Sequence, residues 1–408
     1  MPETTGNACL APRASDERPG RRAFPSAGRV RRVTLVVPHL DRGGAETVIV
    51  LLARALALRG VATQCICLER RGAMGEQLLR EGGLVESLDS TKGYDLDAIR
   101  RLAGFVRRHR ADVINIHDRT SLPYVMLAKA LGPSPPVVLS AHGFLFGDSF
   151  RKRLRYRLPA RWLAAMTAES RSVAARFAEH LGWRGQIDVI PNGVPVVERM
   201  DSVRQATRER LGVPPDAFVF FSVGNARPEK GFEDLLDATK RLRDRAPGAR
   251  FAVLIVGAVS NDRYHEALLA QHRKLDLAGE VRFLGFQKDI GAVYQAADAY
   301  VLPSRSEGMP MVILEAMMYS LPIIATRVGA LPDIVTPETG VLVEPRTPAA
   351  LAQAMFEIMT DPRRCLALGQ GARRRALAEY TVDRMTSRYL DLFERTVRES
   401  SPGPRTHP

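Results

Sequence analysis

The sequence predicts an α/β protein built from two doubly wound parallel-sheet domains that face each other across a cleft. Three observations predict it. At 408 residues the chain is long enough for two domains. Short continuous apolar runs, the mark of strands buried on both faces, alternate with stretches of helical apolar spacing. That alternation runs twice, and a polar stretch around 196–215 separates the two sets.

Residues 1–30 are rich in Pro, Gly and Arg and poor in apolar side chains, so a disordered basic tail is expected; it lacks the apolar core of a secretory signal. Residues 31–195 form the first domain. Val33-Thr34-Leu35-Val36-Val37 reads as its first strand, Gly43-Gly44 as a glycine turn, and Ala45 to Leu58 as a helix. That order makes a nucleotide-binding unit plausible. Further strands are expected at 63–68, 112–117, 137–140 and 187–190, with helices at 96–108, 122–131 and 173–181. Residues 196–215 read as the linker. The second domain, 216–375, should have strands at 218–223, 251–256, 282–284, 299–302, 322–326 and 340–343. Helices are expected at 232–243, 265–274, 348–359, 366–377 and 382–398. The segment 376–398 is expected to pack back toward the first domain, and 399–408 to be a loose tail. Strand C-termini of both sheets should face the cleft, where ligands bind in such folds.

Composition excludes several classes. Cys9, Cys65, Cys67 and Cys365 have neither zinc spacing nor a disulfide framework, which fits a reducing cytoplasm. The longest apolar run, Val48 to Leu58, is too short to span a bilayer. A protein that is cytoplasmic, or peripheral at the inner face of a membrane, is expected. The net charge is +14, but only seven of the 59 basic residues are Lys, so Arg-rich composition alone accounts for much of it. No helix-turn-helix, RNP-type or zinc-finger pattern supports nucleic acid as a partner. Residues 150–162 interleave Arg151, Lys152, Arg153, Arg155, Arg157 and Arg161 with Phe150, Leu154, Tyr156, Leu158 and Trp162. Such a segment suits an anionic membrane surface, and equally the solvated face of an enzyme.

The most informative segment is Ser304-Arg305-Ser306-Glu307-Gly308-Met309-Pro310-Met311-Val312-Ile313-Leu314-Glu315-Ala316. Pro310 suits the first helical position. Glu307 then precedes the helix and Glu315 lies more than a turn inside it. The N–H groups of Gly308, Met309 and Met311 sit at the positive end of the helix dipole, where they can hold a phosphate while two carboxylates accept hydroxyl protons. The same stretch also reads as an ordinary strand–turn–helix unit. Ser222 to Gly231 adds Gly224, Asn225, Arg227 and Lys230 at another strand exit, with two cations suited to diphosphate or to a charged helix start. His117, with Arg119, and His142 each stand at a strand end in the first domain; either histidine alone is as readily structural. Asp95-Leu96-Asp97 imitates an Asp-x-Asp metal motif but precedes a helix, where capping is the better reading.

Taken in order, these segments resemble the retaining glycosyltransferase family 4, which has the GT-B fold of two Rossmann-like domains. The resemblance covers about 32–395 and rests on Gly43-Gly44-Ala45-Glu46, His117, His142-Gly143, Ile190-Pro191-Asn192-Gly193-Val194, Glu229-Lys230-Gly231, Glu307 to Glu315, and Gly329 to Val335. It implies transfer of a sugar from a UDP- or GDP-activated donor to a glycan or lipid-linked saccharide, in cell-envelope or exopolysaccharide synthesis. It implies no requirement for a cofactor or metal. Glu307 would contact hydroxyls of the transferred sugar and Glu315 the ribose, while Lys230, helped by Arg227, would neutralise the diphosphate. Gly43, Gly44, Gly224, Asn225 and Gly308 to Met311 would complete the donor site. His142 would lie beside the donor sugar, with His117 and Arg119 on the acceptor side. Asn225 departs from the family, where Arg is common, and Arg119 stands where a second His is common. A nucleotide-sugar 2-epimerase and a non-catalytic GT-B binding protein share the fold; the set His142, Lys230, Glu307 and Glu315 argues against both.

Overall fold

The computed structural model describes residues 29–90, 95–143, 150–257 and 263–400, with the side chains of 150–152 excepted. Residues 1–28 of the expected tail 1–30 and 401–408 of the expected tail 399–408 lie outside the described residues, as do the side chains of Phe150, Arg151 and Lys152, whereas Glu399 and Ser400 end the last helix rather than starting a loose tail.

The first half runs β1 (Arg32–His39), α1 (Gly44–Leu58), β2 (Ala62–Arg70), α2 (Gly72–Arg80), β3 (Leu84–Ser87) and α3 (Leu96–His109). It continues with β4 (Val113–Ile116), α4 (Leu122–Ala130), β5 (Val137–Ala141), α5 (Phe150–Ala160), β6 (Ala165–Ala168), α6 (Arg171–Leu181) and β7 (Ile187–Val189). All pairings are parallel, in the order β3-β2-β1-β4-β5-β6-β7. The central strands are apolar on both faces because helices cover both.

The second half runs α7 (Asp201–Arg210), β8 (Phe218–Val223), α8 (Phe232–Arg245), β9 (Phe251–Val256), α9 (Arg263–Lys274), β10 (Val281–Gly285) and α10 (Ile290–Ala296). Then come β11 (Ala299–Leu302), α11 (Met311–Met318), β12 (Ile323–Thr326), α12 (Leu331–Ile334), β13 (Gly340–Val343), α13 (Pro348–Thr360), α14 (Pro362–Glu379) and α15 (Val382–Ser400). This sheet is also parallel, ordered β10-β9-β8-β11-β12-β13. Strand order reverses between β1 and β4 in one sheet and between β8 and β11 in the other. Those reversals open the crevices that receive ligands in doubly wound sheets.

Two expectations need correction. The polar stretch 196–215 contains α7, which docks on the second domain. Arg204 and Arg208 reach the last carbonyls of α10 and pair with Asp298 at 2.6 Å, as cations at a helix C-terminus favour. β3 and β6, absent from the sequence reading, are short strands lacking a long apolar run. Asp95 accepts from Ala98 N at 3.0 Å, so the Asp-x-Asp pattern is a helix cap.

The C-terminal helix crosses to the first domain. Val194 N donates to Tyr380 O (2.8 Å) and Val382 N to Val194 O (3.1 Å), and Arg395 pairs with Asp188 at 2.6 Å. One hydrophobic cluster runs from Val33 and Leu35 through Ile190, Val194, Met309 and Met311 to Tyr389 and Phe393, joining both domains. Among the described residues no helix is long and apolar enough to cross a membrane.

Candidate active site

The two switch points bring their strand exits together. On the first-domain side, Gly43 is the N-cap of α1, and a Cβ on Gly44 would lie 3.9 Å from Met311 Cγ. The glycine turn therefore abuts the start of α11.

On the second-domain side two loops are stapled before they meet the cleft. After β8 the chain passes Gly224 and the exposed Asn225 and Arg227 into a single 3₁₀ turn, Pro228–Lys230. Gly231 follows with φ 64°, and a Cβ there would lie 2.2 Å from Pro303 O, so the left-handed turn and the close approach both require glycine. Arg305 N donates to Glu229 O at 2.7 Å, and its guanidinium pairs with Glu233 at 2.6 Å and Asp234 at 3.1 Å. This fixes Lys230 Nζ 2.7 Å from Glu307 Oε1. Ser304 Oγ donates to the same oxygen at 2.6 Å. Glu307 is only 7% exposed. A buried carboxylate without such partners would be strongly unfavourable.

Beyond Glu307 the expected geometry shifts by one residue. Pro310 is the N-cap of α11, with an extended ψ of 121°, and Met311 is the first helical residue. Met309 N is not free for a ligand: it donates to the carboxylate of Glu169 at 3.0 Å. Within α11, Glu315 Oε2 accepts from Tyr294 OH at 2.9 Å, and the Tyr294 ring stacks on Tyr319 with centroids 5.2 Å apart. Burial raises the pKa of Glu315, opposed by that hydrogen bond.

The two histidines meet. His117 Nδ1 lies 3.0 Å from His142 Nε2, with the rings stacked at 5.3 Å. His117 is 4% exposed, and burial, then His142, push its pKa well below the ordinary imidazole value. Its Nε2 has no hydrogen-bond partner among the described residues. Arg119 lies against His180 Nε2 at 3.0 Å and over the Tyr156 ring at 5.1 Å, so it contributes to a structural cluster under α5.

The cleft thus gathers Gly43, Gly44, His117, His142, Lys230, Glu307 and the 308–311 turn, with Glu315 one turn deeper; Asn225 and Arg227 stay on an exposed loop. Glu169 and Tyr294 escaped the sequence reading, while Asn192, inside the 190–194 motif, and Ser304 were given no role of their own. Ser304 lay inside the highlighted segment. Glu169 precedes a capping serine and reads as an ordinary helix-start carboxylate.

Two parallel-sheet domains, a crossing C-terminal helix and a cleft site at both switch points define a glycosyltransferase of the GT-B class. Glycosyltransferase Family 4 matches residues 42–198, and Glycosyl transferases group 1 matches 203–375. The chain belongs to glycosyltransferase family 4. It is 28% identical, over 73% of its length and 80% of the relative's, to a GDP-mannose-dependent monoacylated alpha-(1-6)-phosphatidylinositol monomannoside mannosyltransferase of Corynebacterium glutamicum. It is 37% identical to a D-inositol 3-phosphate glycosyltransferase of Actinosynnema mirum over 43% of each chain, so it spans under half of that relative. Among solved structures, Anabaena HepE in complex with UDP superposes with a TM-score of 0.79 at 22% identity, over 89% of this chain and all of that one. At that identity the likeness concerns the fold.

Proposed function

We propose that the protein transfers a sugar, with retention of configuration, from a UDP- or GDP-activated donor to a saccharide or lipid-linked acceptor in envelope or exopolysaccharide synthesis. The observation that carries this reading is the Lys230–Glu307 pair set before the N-terminus of α11, with Glu315 one turn inside and the His117–His142 pair across the cleft. In this reading Glu307 holds hydroxyls of the transferred sugar with His142 beside that sugar, Glu315 takes the ribose, and Lys230 faces the leaving diphosphate together with the exposed Arg227. Catalysis is then positioning plus stabilisation of developing negative charge by fixed cations and helix N-termini. Glu307 is engaged by Lys230 and Ser304, which supports recognition rather than nucleophilic attack. The departing phosphate takes the acceptor proton, and no metal is needed.

A lipid-linked acceptor is supported by α5 and the turn after it. Leu154, Leu158 and Trp162 follow at four-residue spacing and are exposed, Trp162 at 63%, with exposed Arg155 and Arg161 beside them. That surface suits peripheral attachment to an anionic cytoplasmic leaflet. Two relatives are named for lipid acceptors, the Corynebacterium mannosyltransferase and an Escherichia coli enzyme acting on a GlcNAc-diphosphoundecaprenol.

Thermal-shift screening against UDP- and GDP-sugars tests the donor, because a ligand of the folded state stabilises it by RT ln(1 + [L]/Kd). One nucleotide sugar should raise Tm, also in excess EDTA, and its product should keep the donor's anomeric configuration. No shift with any nucleotide sugar, or an inverted product, would overturn the reading.

A further inference from the structure

Glu169 directly follows β6 with 6% exposure, and nothing in the functional reading employs it. Its Oε1 accepts two backbone N–H groups from opposite domains, Gly143 at 2.9 Å and Met309 at 3.0 Å. Its Oε2 accepts from Asn192 Nδ2 at 3.0 Å and faces His142 Nδ1 at 3.4 Å. Asn192 Nδ2 also donates to Met309 O at 3.2 Å. The Met309 residue, in the turn that opens α11, is therefore held at both its N–H and its C=O by first-domain side chains. A Cβ on Gly308 would lie 2.5 Å from Glu169 Oε1 and 3.0 Å from Gly143 Cα, so glycine lets the two loops close on the carboxylate.

Burial is the largest influence on Glu169 and raises its pKa. The hydrogen bond and charge of His142, with the bonds from Gly143 and Asn192, outweigh it and leave the carboxyl below the ordinary glutamate value. An ionised carboxylate only accepts, so His142 presents Nδ1–H to it. In the neutral ring, His142 Nε2 then accepts Nδ1–H of His117, 3.0 Å away. His117 is left with a bare, buried Nε2 lone pair that has no partner among the described residues.

The geometry points to Glu169 as a positioning residue: it latches the Met309 turn to the first domain and, through His142, presents His117 Nε2 as an acceptor for a saccharide hydroxyl. The hydroxyl rests on the glycosyl-transfer reading; the latch and the two tautomers do not.

The test uses full-length protein without ligand. Long-range ¹H–¹⁵N correlation at pH 8 should show His117 and His142 both as Nδ1–H tautomers. In Glu169→Gln the oxygen stays on the two backbone amides, which turns the NH₂ toward His142 Nδ1, and both rings should switch to Nε2–H. In Glu169→Ala, hydrogen exchange at the Gly143 and Met309 amides should accelerate by about tenfold while the β9 amides keep their protection. His117 found as Nε2–H in the wild type, tautomers unmoved by Glu169→Gln, or uniform acceleration across the protein would each overturn the assignment. If nucleotide sugars fail to bind while the tautomers behave as stated, glycosyl transfer is wrong and the latch stands.

Discussion

Replacing Lys230 by Met tests the centre of the site on two scales at once. Glu307 is a buried carboxylate whose oxygen meets Lys230 Nζ at 2.7 Å and Ser304 Oγ at 2.6 Å. Removing one partner of a fully buried pair costs about 3–5 kcal/mol. Here the lysine side chain is 26% exposed and Ser304 remains, so water and the hydroxyl offset part of the loss. A destabilisation of about 2 kcal/mol is expected, a fall of about 4–8 °C in Tm for a domain of this size. Glu307→Gln removes the charge that needs compensation, so the double variant should recover most of that loss. Turnover should fall by about 10²–10³ in Lys230→Met, because in the proposed function this charge faces the leaving diphosphate, and should not recover in the double variant. Differential scanning fluorimetry supplies the cycle, and product release from the donor identified by screening supplies the rate. Lys230→Met costing the same in the wild-type and Glu307→Gln backgrounds, to within about 0.5 kcal/mol, would refute the pairing argument.

Three further outcomes follow from particular contacts. Glu315 has its pKa raised, chiefly by burial, above the ordinary 4.5. A carboxyl raised in the folded state contributes fully below pH 4.5, and that contribution is lost as pH rises through the raised value. Glu315→Gln should therefore raise Tm of the free protein at pH 7, by an amount equivalent to about 0.5–2 kcal/mol, and shrink the shift given by the donor; a lower Tm at pH 7 contradicts the burial argument. Arg208 donates to Ala296 O, Pro215 O, Ala217 O and Asp298, so Arg208→Ala removes four hydrogen bonds, although Arg204 still reaches Ala296 O and Asp298. Chemical denaturation should register a loss of about 3 kcal/mol, and a neutral result would mean that α7 is not anchored through this residue. The combined variant Leu158→Ser, Trp162→Ser, Arg161→Ala should stop sedimenting with phosphatidylglycerol vesicles while its stability stays within about 0.5 kcal/mol per site. Unchanged sedimentation removes the membrane surface from the proposal.

The sequence reveals the fold class because parallel strands buried on both faces need continuous apolar runs such as Val33 to Val37, and strand exits need Gly43-Gly44 or Gly224. The cleft's glutamates are legible for the same reason: Glu307 and Glu315 stand at fixed offsets from a Gly and a Pro with local conformational meaning. What escapes has no local signature. In α7, Asp201–Arg210, the anchoring groups are Arg204 and Arg208, whose guanidinium groups reach a helix end about 90 residues away, so apolar periodicity misses it. Pro310 fits either side of a helix boundary, and only its extended ψ decides between N-cap and first turn. Glu169 is opaque for a different reason. Its four polar contacts lie on three separate segments, and only their convergence distinguishes it from a surface carboxylate ahead of α6.

Three carboxylates, Glu169, Glu307 and Glu315, around an expected diphosphate look like an arrangement that repels its ligand. Each is matched locally: Glu169 by N–H groups of Gly143, Met309 and Asn192, Glu307 by Lys230 and Ser304, Glu315 by the Tyr294 hydroxyl. With those charges met, the N-termini of α1 and α11 face each other at Gly44 and Met311, and in the proposed reading they share the ligand's charge with Lys230 and Arg227. Two opposite consequences then compete for any variant that neutralises a carboxylate. Simple repulsion predicts tighter binding of UDP or GDP, since a like charge has gone. Preorganisation predicts weaker binding, since Glu307 holds Lys230 and Glu169 holds the turn that opens α11. With the matching donors at 2.6–3.0 Å, the second should win, and Glu169→Ala and Glu307→Gln should each weaken nucleotide binding by about tenfold in calorimetric titration. Tighter binding in either variant would show that the carboxylates act on the ligand as bare charges, and the assignment of their partners would have to be withdrawn.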